Sequence, residues 1–476
     1  MEEESSPLLH KNERNKTIHW NKLKQKTMLF RVLLVFGLLA AFTCGVWILN
    51  KEQETYEETD WLSDMNDLKR QSDKCKQHIT RIPQQEYIER QQKLATTLRS
   101  EGVQAYIMEP SATMTYYTNM TWSRTERPFL ILFTLNEKSS TNDLDMTIIT
   151  PLFEQTRAQV ELKRANLSPQ IPIKMVPWVE HGNVFETIRS VLDQHQATSL
   201  SIEPTTRLFI EKGIQQALTD KKYEINMASL AIQRLRMAKS TNEINIMRCA
   251  NQLTELAIRK VKRHIKIGMT EQQISSLMTD ALENYVGLVE TWVVSLIDEN
   301  AALPHGNPEI IHQVHDLSVV LIDTGGELYG YQSDTTRTFF ISKDNDDNNK
   351  KKMNSTIEKA WYTVHQAQVD VLTTIQEGDS CAHVDLTARH VIEKDGLGDA
   401  FTHRLGHGIG MEMHEDPYMN QGNTECILQP GFTFSVEPGV YLPNEFGIRL
   451  EDIVFVNQQG RLELLTNGLA QNPWTL

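Results

Sequence analysis

The sequence predicts an α/β (α+β) protein of two folded units, the first smaller than the second, behind an N-terminal transmembrane helix. Three observations predict it. A chain of 476 residues exceeds one ordinary domain. From about residue 83 onward, short β-branched apolar runs alternate with helical periodicity. One uncharged apolar segment, Val32–Leu49, is long enough to cross a bilayer. With 40% hydrophobic and 23% charged residues the rest is ordinary globular protein. The net charge of −14 excludes nucleic acid as a main partner, because no broad basic stripe is left to neutralise phosphates. The cysteines, Cys44, Cys75, Cys249, Cys381 and Cys426, show no CxxC or paired spacing, so neither a zinc knuckle nor a disulfide framework is supported.

Lys22, Lys24, Lys26 and Arg31 precede the apolar segment, and Glu52, Glu54, Glu57, Glu58 and Asp60 follow it. Positive charge stays cytosolic, so residues 1–31 read as a cytosolic tail, 32–49 as a signal anchor in the lipid bilayer, and 50–476 as lumenal or extracellular. A cleaved signal peptide is the rival, but its apolar region would be shorter and no A-x-A site follows. Glu4 ahead of Leu8-Leu9 resembles an acidic dileucine sorting signal, which points to an endosomal, lysosomal or vacuolar membrane, with the cell surface as the other destination. Sequons at Asn119, Asn166 and Asn354 suit such a surface.

Residues 50–82, polar and acidic, read as a stalk. Residues 83–228 form the smaller α/β unit: a helix with Tyr87, Ile88, Leu94 and Leu98 at near-helical spacing and Gly102 as its stop, then the runs VQAYIM, FLILFTL and MTIITPL as buried strands. Residues 233–476 form the larger unit. A long helical stretch is expected from Ala231 to about Ile267, with Ile244, Met247, Leu253 and Ala257 on one face. A second helix opens with Thr270 as cap and Gln273 three residues on. Residues 342–352 are a charged loop, and the segment from Met353 to Gly378 is another amphipathic helix.

Two hairpins in the larger unit each carry a pair of carboxylates. In LSVVLIDTGGELYGYQSDTTRTFFIS, a turn centred between Leu328 and Tyr329 sets Asp323 opposite Asp334. In FTFSVEPGVYLPNEFGIRLEDIVFV, a turn centred on Asn444 sets Glu437 opposite Glu451, and Pro438 demands a bulge or edge. One opposed pair is an accident of register in most proteins. Two in one domain call for something that relieves the repulsion, and a dinuclear metal centre does so. An imidazole ligand would favour Mn²⁺, Co²⁺ or Zn²⁺ over Ca²⁺ or Mg²⁺, and His407 stands between the hairpins in sequence.

With these residues assembled, the chain resembles the M24 peptidases of the creatinase, prolidase and aminopeptidase P branch. The motifs LPHGNP, LIDTGGELYGYQSDTTRTF, HRLGHGIGMEMHEDP, SVEPGVY and GIRLEDIVFV carry the resemblance, in order. It implies a pita-bread catalytic domain over 233–476 behind a creatinase-type N-terminal domain. By position it implies that Asp323 binds one metal, that Asp334 and Glu451 bridge both, and that His407 and Glu437 complete the second. Two divalent ions per chain follow, Mn²⁺ foremost, then Co²⁺ or Zn²⁺. His305 and His414 match the family's substrate-facing histidines, His403 a further pocket histidine, and Arg449 an arginine that orients Glu451. Glu437 would handle the proton of the attacking water and His414 would face the oxyanion. The implied reaction is hydrolysis of an Xaa-Pro peptide bond by an exopeptidase, and family members are commonly homodimers. Two rivals stand beside it: an amidohydrolase of a small non-peptide C–N substrate, and a silent membrane-anchored binding protein. Because the ligand His407 must be neutral, a strongly acidic lumen is disfavoured.

Overall fold

The computed structural model describes residues 59–136, 143–219, 223–343 and 353–475. The tail, the anchor, Leu8-Leu9 and most of the charged loop lie outside them. Among the described residues, no helix is long and apolar enough to cross a membrane. The chain divides into two compact units, Met1–Asp67 and Leu68–Leu476. Residues 59–67 of the first are helical, and so are residues 68–77 of the second, where the sequence suggested only a polar stalk.

Helix α1 (Gln84–Ser100) buries Tyr87, Ile88, Leu94 and Leu98, and Gly102 follows it at φ +68°. The strands after it are β1 (Ala105–Met108), β2 (Leu130–Leu135), β3 (Leu144–Pro151), β4 (Ile173–Trp178), β5 (Ser199–Ile202) and β6 (Glu224–Met227). They form one mixed sheet in the order β4-β3-β2-β1-β5-β6. Both faces are covered, which is why the first strands read as unbroken apolar runs. Tyr106, Met108, Ile131 and Phe133 pack on the side of α1, whereas Ile107, Leu130 and Leu132 pack with Val184, Ile188 and Ile210 on the other. Arg90 of α1 ties this unit to the next by donating to the Tyr331 hydroxyl at 3.1 Å.

The long helix, α2 (Thr241–Lys262), begins ten residues later than its periodicity suggested. The reason is local. Ser240 caps the Glu243 N–H while the Glu243 carboxylate accepts the Ser240 N–H, a complete capping box. Upstream, Lys239 is buried with its ammonium on the Arg236 and Met237 carbonyls and on Glu415. Helix α3 (Glu271–Asp280) has the Thr270–Gln273 box that its sequence announced.

Strands β7 (Val289–Ile297), β8 (Val319–Leu328) and β9 (Tyr331–Phe340) form a three-stranded antiparallel sheet. The β8–β9 register corrects the expectation: Asp323 pairs with Thr336 and Asp334 with Gly325. The turn is the two-residue Tyr329-Gly330, with φ +54° and +89°, a left-handed pair that suits a tight hairpin and moves the register by two. A shift of two keeps both aspartates on the same face.

Helices α4 (Ser355–Thr374) and α5 (Cys381–Lys394) precede a five-stranded sheet of order β11-β10-β12-β15-β16. Its strands are β10 (Gly406–Gly408), β11 (Glu415–Met419), β12 (Thr433–Val436), β15 (Asp452–Val456) and β16 (Leu462–Leu464). The second hairpin has the expected register. Val436 pairs with Asp452 below Pro438, and Gly439 of β13 (Gly439–Leu442) pairs with Arg449 of β14 (Phe446–Arg449) above it. Pro438 interrupts the ladder, and Glu437 and Glu451 face each other in the gap.

The cysteines are the second correction. Cys75 is bonded to Cys249 and Cys381 to Cys426, at sequence separations of 174 and 45. Such pairs are made by tertiary contact and leave no spacing to read.

Candidate metal centre

The cavity that collects the acids has a volume of ≈ 720 Å³ and is lined by Asp323, Asp334, His407, Glu437 and Glu451, with His305, His403 and His414 around them. Asp323 and Asp334 arrive diagonally from β8 and β9, Glu437 and Glu451 from the gap in the second hairpin, and His407 from β10. Ligand atoms of Asp334, His407 and Glu451 lie within 4.8 Å of one another. His407 Nε2 is 3.4 Å from Glu437 Oε1 and 3.7 Å from Asp334 Oδ2. Its Nδ1 lies 3.1 Å from the Gly408 carbonyl, so donation there leaves the Nε2 lone pair facing the carboxylates.

Buried together, these carboxyls disfavour one another's charged form, a cost that a bound divalent cation would relieve. Burial, with Glu451 and the other acids beside it, pushes Asp334 well above the usual carboxylate range. Burial and Glu437 do the same to Glu451. Burial, opposed by Arg449 and reinforced by Asp323, pushes Glu437 up to about 7. Burial and the neighbouring His414 hold His407 down at about 3, so its imidazole is neutral. Asp323 Oδ1 and Asp334 Oδ1 are buried without any hydrogen-bond partner. Orphaned carboxyl oxygens beside a neutral imidazole fit divalent ions that accept mixed oxygen and nitrogen donors.

Arg449 is buried among the acids. Its guanidinium contacts Asp323 Oδ2 directly at 2.6 Å and reaches Glu451 only through Thr336, whose hydroxyl donates to Glu451 Oε2 at 2.6 Å. Tyr441, which the sequence reading passed over inside SVEPGVY, lies 2.9 Å from both Arg449 Nη1 and His403 Nε2. Burial lowers His403 to about 4. Ser435 and Asn251 were also missed: Ser435 Oγ donates to Glu437 and accepts the His407 N–H, and Asn251 accepts the Asp334 N–H. His305 and His414 line the open side, and the His414 ring sits edge-on to His407 at 4.1 Å between centroids. Partial burial and Arg404 lower His414.

Gly408 explains the glycines around His407. A Cβ there would lie 2.4 Å from the Asp416 carbonyl carbon, so only glycine lets β10 run this close to β11.

Residues 245–458 match the model of metallopeptidase family M24, and residues 90–238 match the creatinase/prolidase N-terminal domain. An uncharacterized peptidase of Schizosaccharomyces pombe is 36% identical over 401 residues, 83% of this chain and 84% of that protein. An Xaa-Pro dipeptidase of Lactobacillus delbrueckii subsp. lactis is 27% identical over 371 residues, 77% of this chain and 94% of that one. The crystal structure of a recombinant prolidase from Thermococcus sibiricus superposes with a TM-score of 0.68 at 25% identity, over 81% of this chain and 98% of that one. Five converging ligand-type side chains and these matches agree, and the chain belongs to the metallopeptidase family M24, with a pita-bread peptidase domain behind a creatinase/prolidase-type N-terminal domain.

Proposed function

We propose that this peptidase is a dinuclear metal-dependent exopeptidase that hydrolyses Xaa-Pro bonds, in the manner of prolidase or aminopeptidase P. The observation that carries the reading is the convergence of Asp323, Asp334, His407, Glu437 and Glu451 in one cavity, two of their oxygens orphaned. Asp323 would hold one divalent ion, Asp334 and Glu451 would be shared between two, and His407 with Glu437 would complete the second. The chemistry that such ions supply when bound is acidification of a water and polarisation of the scissile carbonyl. Mn²⁺ is the first candidate, then Co²⁺ or Zn²⁺.

The chain's own groups do the rest. Glu437 accepts the proton of the attacking water and returns it to the leaving nitrogen. His414 donates a hydrogen bond to the oxyanion as the carbonyl becomes tetrahedral. His305 holds the substrate amide, and His403, tethered by Tyr441, closes the pocket wall. Arg449 keeps Asp323 oriented. Proline preference draws on the named relatives. Release of amino acid from Xaa-Pro dipeptides or Xaa-Pro-Xaa peptides by the purified full-length protein with Mn²⁺, abolished by chelator, is the expected result. Release from neither would defeat the reading.

The peptidase sits on the lumenal or extracellular side of the membrane, with residues 32–49 as anchor and residues 1–31 in the cytosol. Two disulfides that pair four of the five cysteines suit an oxidising compartment. The acceptor residues Asn119, Asn166 and Asn354 are exposed, as glycosylation there needs. In sealed microsomes the peptidase domain is expected to resist added protease until detergent is present; digestion without detergent would refute the topology.

A further inference from the structure

Helix α5 carries an ion pair that reaches the site from behind. Asp385 is fully buried, and Arg389, one turn on, donates to it through Nε at 2.9 Å and Nη2 at 3.1 Å. Together they grip three backbone groups of the segment that leads into β10. Arg389 Nη1 donates to the Phe401 carbonyl and Nη2 to the His403 carbonyl, each at 2.9 Å, while Asp385 Oδ1 accepts the Leu405 N–H at 2.8 Å. The guanidinium also lies over the Phe401 ring, 4.2 Å from its centroid. Residues 401, 403 and 405 are thus held in turn, and two residues further on is His407. The same segment accepts the Glu437 N–H at the Leu405 carbonyl, 2.9 Å away.

The clamp stands on a fixed base. Ser380 caps α5 through the His383 N–H. The N–H groups of Cys381 and Ala382 donate to the carbonyls of Cys426 and Asn423, and the Cys381–Cys426 disulfide locks the same turn. Neither Asp385 nor Arg389 lines the cavity.

We infer that Asp385 and Arg389 are positioning residues for the metal centre: they hold the backbone from which His403 and His407 project and, through Leu405, the strand that carries Glu437. Ligand atoms must fall within a few tenths of an ångström of their ideal distances, so slack in this segment is felt as lost affinity. The inference rests on the reading of His407 and Glu437 as metal ligands.

The test uses the full-length protein with Asp385→Asn, which nearly keeps the shape, and Arg389→Lys, which keeps the charge pair but cannot reach both carbonyls. Mn²⁺ binding is measured by titration calorimetry, beside melting temperature and kcat at limiting and saturating Mn²⁺. Asp385→Asn is expected to raise the Mn²⁺ Kd about 10-fold or more. Arg389→Lys gives a smaller rise, and excess Mn²⁺ recovers part of the lost kcat in both. A lowered melting temperature with unchanged Mn²⁺ Kd would reduce the pair to scaffolding and overturn the inference, and Arg389→Lys alone decides this if Asp385→Asn does not fold. If the wild type takes up none of Mn²⁺, Co²⁺ and Zn²⁺, the metal reading itself fails and takes the inference with it.

Discussion

At the scale of single residues, the two histidines of GHGIGMEMHEDP stand in different surroundings although their rings pack edge to face. His407 is buried, neutral and aimed by the Gly408 carbonyl, whereas His414 is open to the cavity. His407→Ala is expected to lose bound metal and turnover together. His414→Ala should keep its metal, measured by elemental analysis, while kcat falls about 100-fold or more, the usual loss for one oxyanion donor. Glu415, the next residue, supplies a pH prediction. Burial alone would raise its carboxyl, but Lys239 at 2.6 Å and Arg236 outweigh burial and hold it below its ordinary 4.5. A depressed folded value means stability that is present above about pH 4.5 and lost as pH falls through the lower one. Glu415→Gln should therefore be about 3 kcal/mol less stable near neutrality, with Lys239 left unpaired, and its denaturant midpoint should change less than wild type below pH 4.5.

At the scale of elements, the ligand-bearing hairpins show what sequence can and cannot say. The Glu437–Glu451 opposition was legible because the turn around Asn444, at φ +61°, falls where the proline and asparagine place it. The Asp323–Asp334 opposition was misplaced by two, because Tyr329 takes a left-handed conformation that its side chain does not advertise. Period-two geometry made the error harmless to the site. Helix α5 was not legible at all. Its buried face is Cys381, Ala382, Val384, Asp385, Ala388 and Ile392, mostly small residues interrupted by an aspartate, so no strong apolar stripe shows. The start of α2 was overrun because periodicity continued past a capping box written in Ser240 and Glu243. Strand β10 offers the element-scale prediction. Gly408→Ala drives a methyl into the backbone of β11, which cannot step aside as a side chain could. A loss of about 2 kcal/mol in urea unfolding, accompanied by weaker Mn²⁺ binding, is expected.

At the scale of the whole molecule, the site is built from pieces brought together from residues 251 to 451, so no window of sequence contains it. The motif order announced the members, and the fold supplies Thr336, Ser435 and Tyr441 between them. The disulfides add stability that sequence spacing could not foretell. Closing a loop of 174 residues is worth about 5 kcal/mol on chain-entropy grounds. Dithiothreitol should therefore lower the unfolding temperature of the metal-free protein, read by calorimetry. The Cys75–Cys249 bridge also governs whether the chain comes apart after proteolysis. The entire N-terminal sheet lies inside the covalent loop that this bridge closes. A protease that nicks the chain once anywhere between residues 76 and 248 leaves the C-terminal fragment bonded through sulfur to everything upstream of Cys75. Separating the two pieces then takes reduction, so a nicked sample should run as one band on a non-reducing gel and as two on a reducing one.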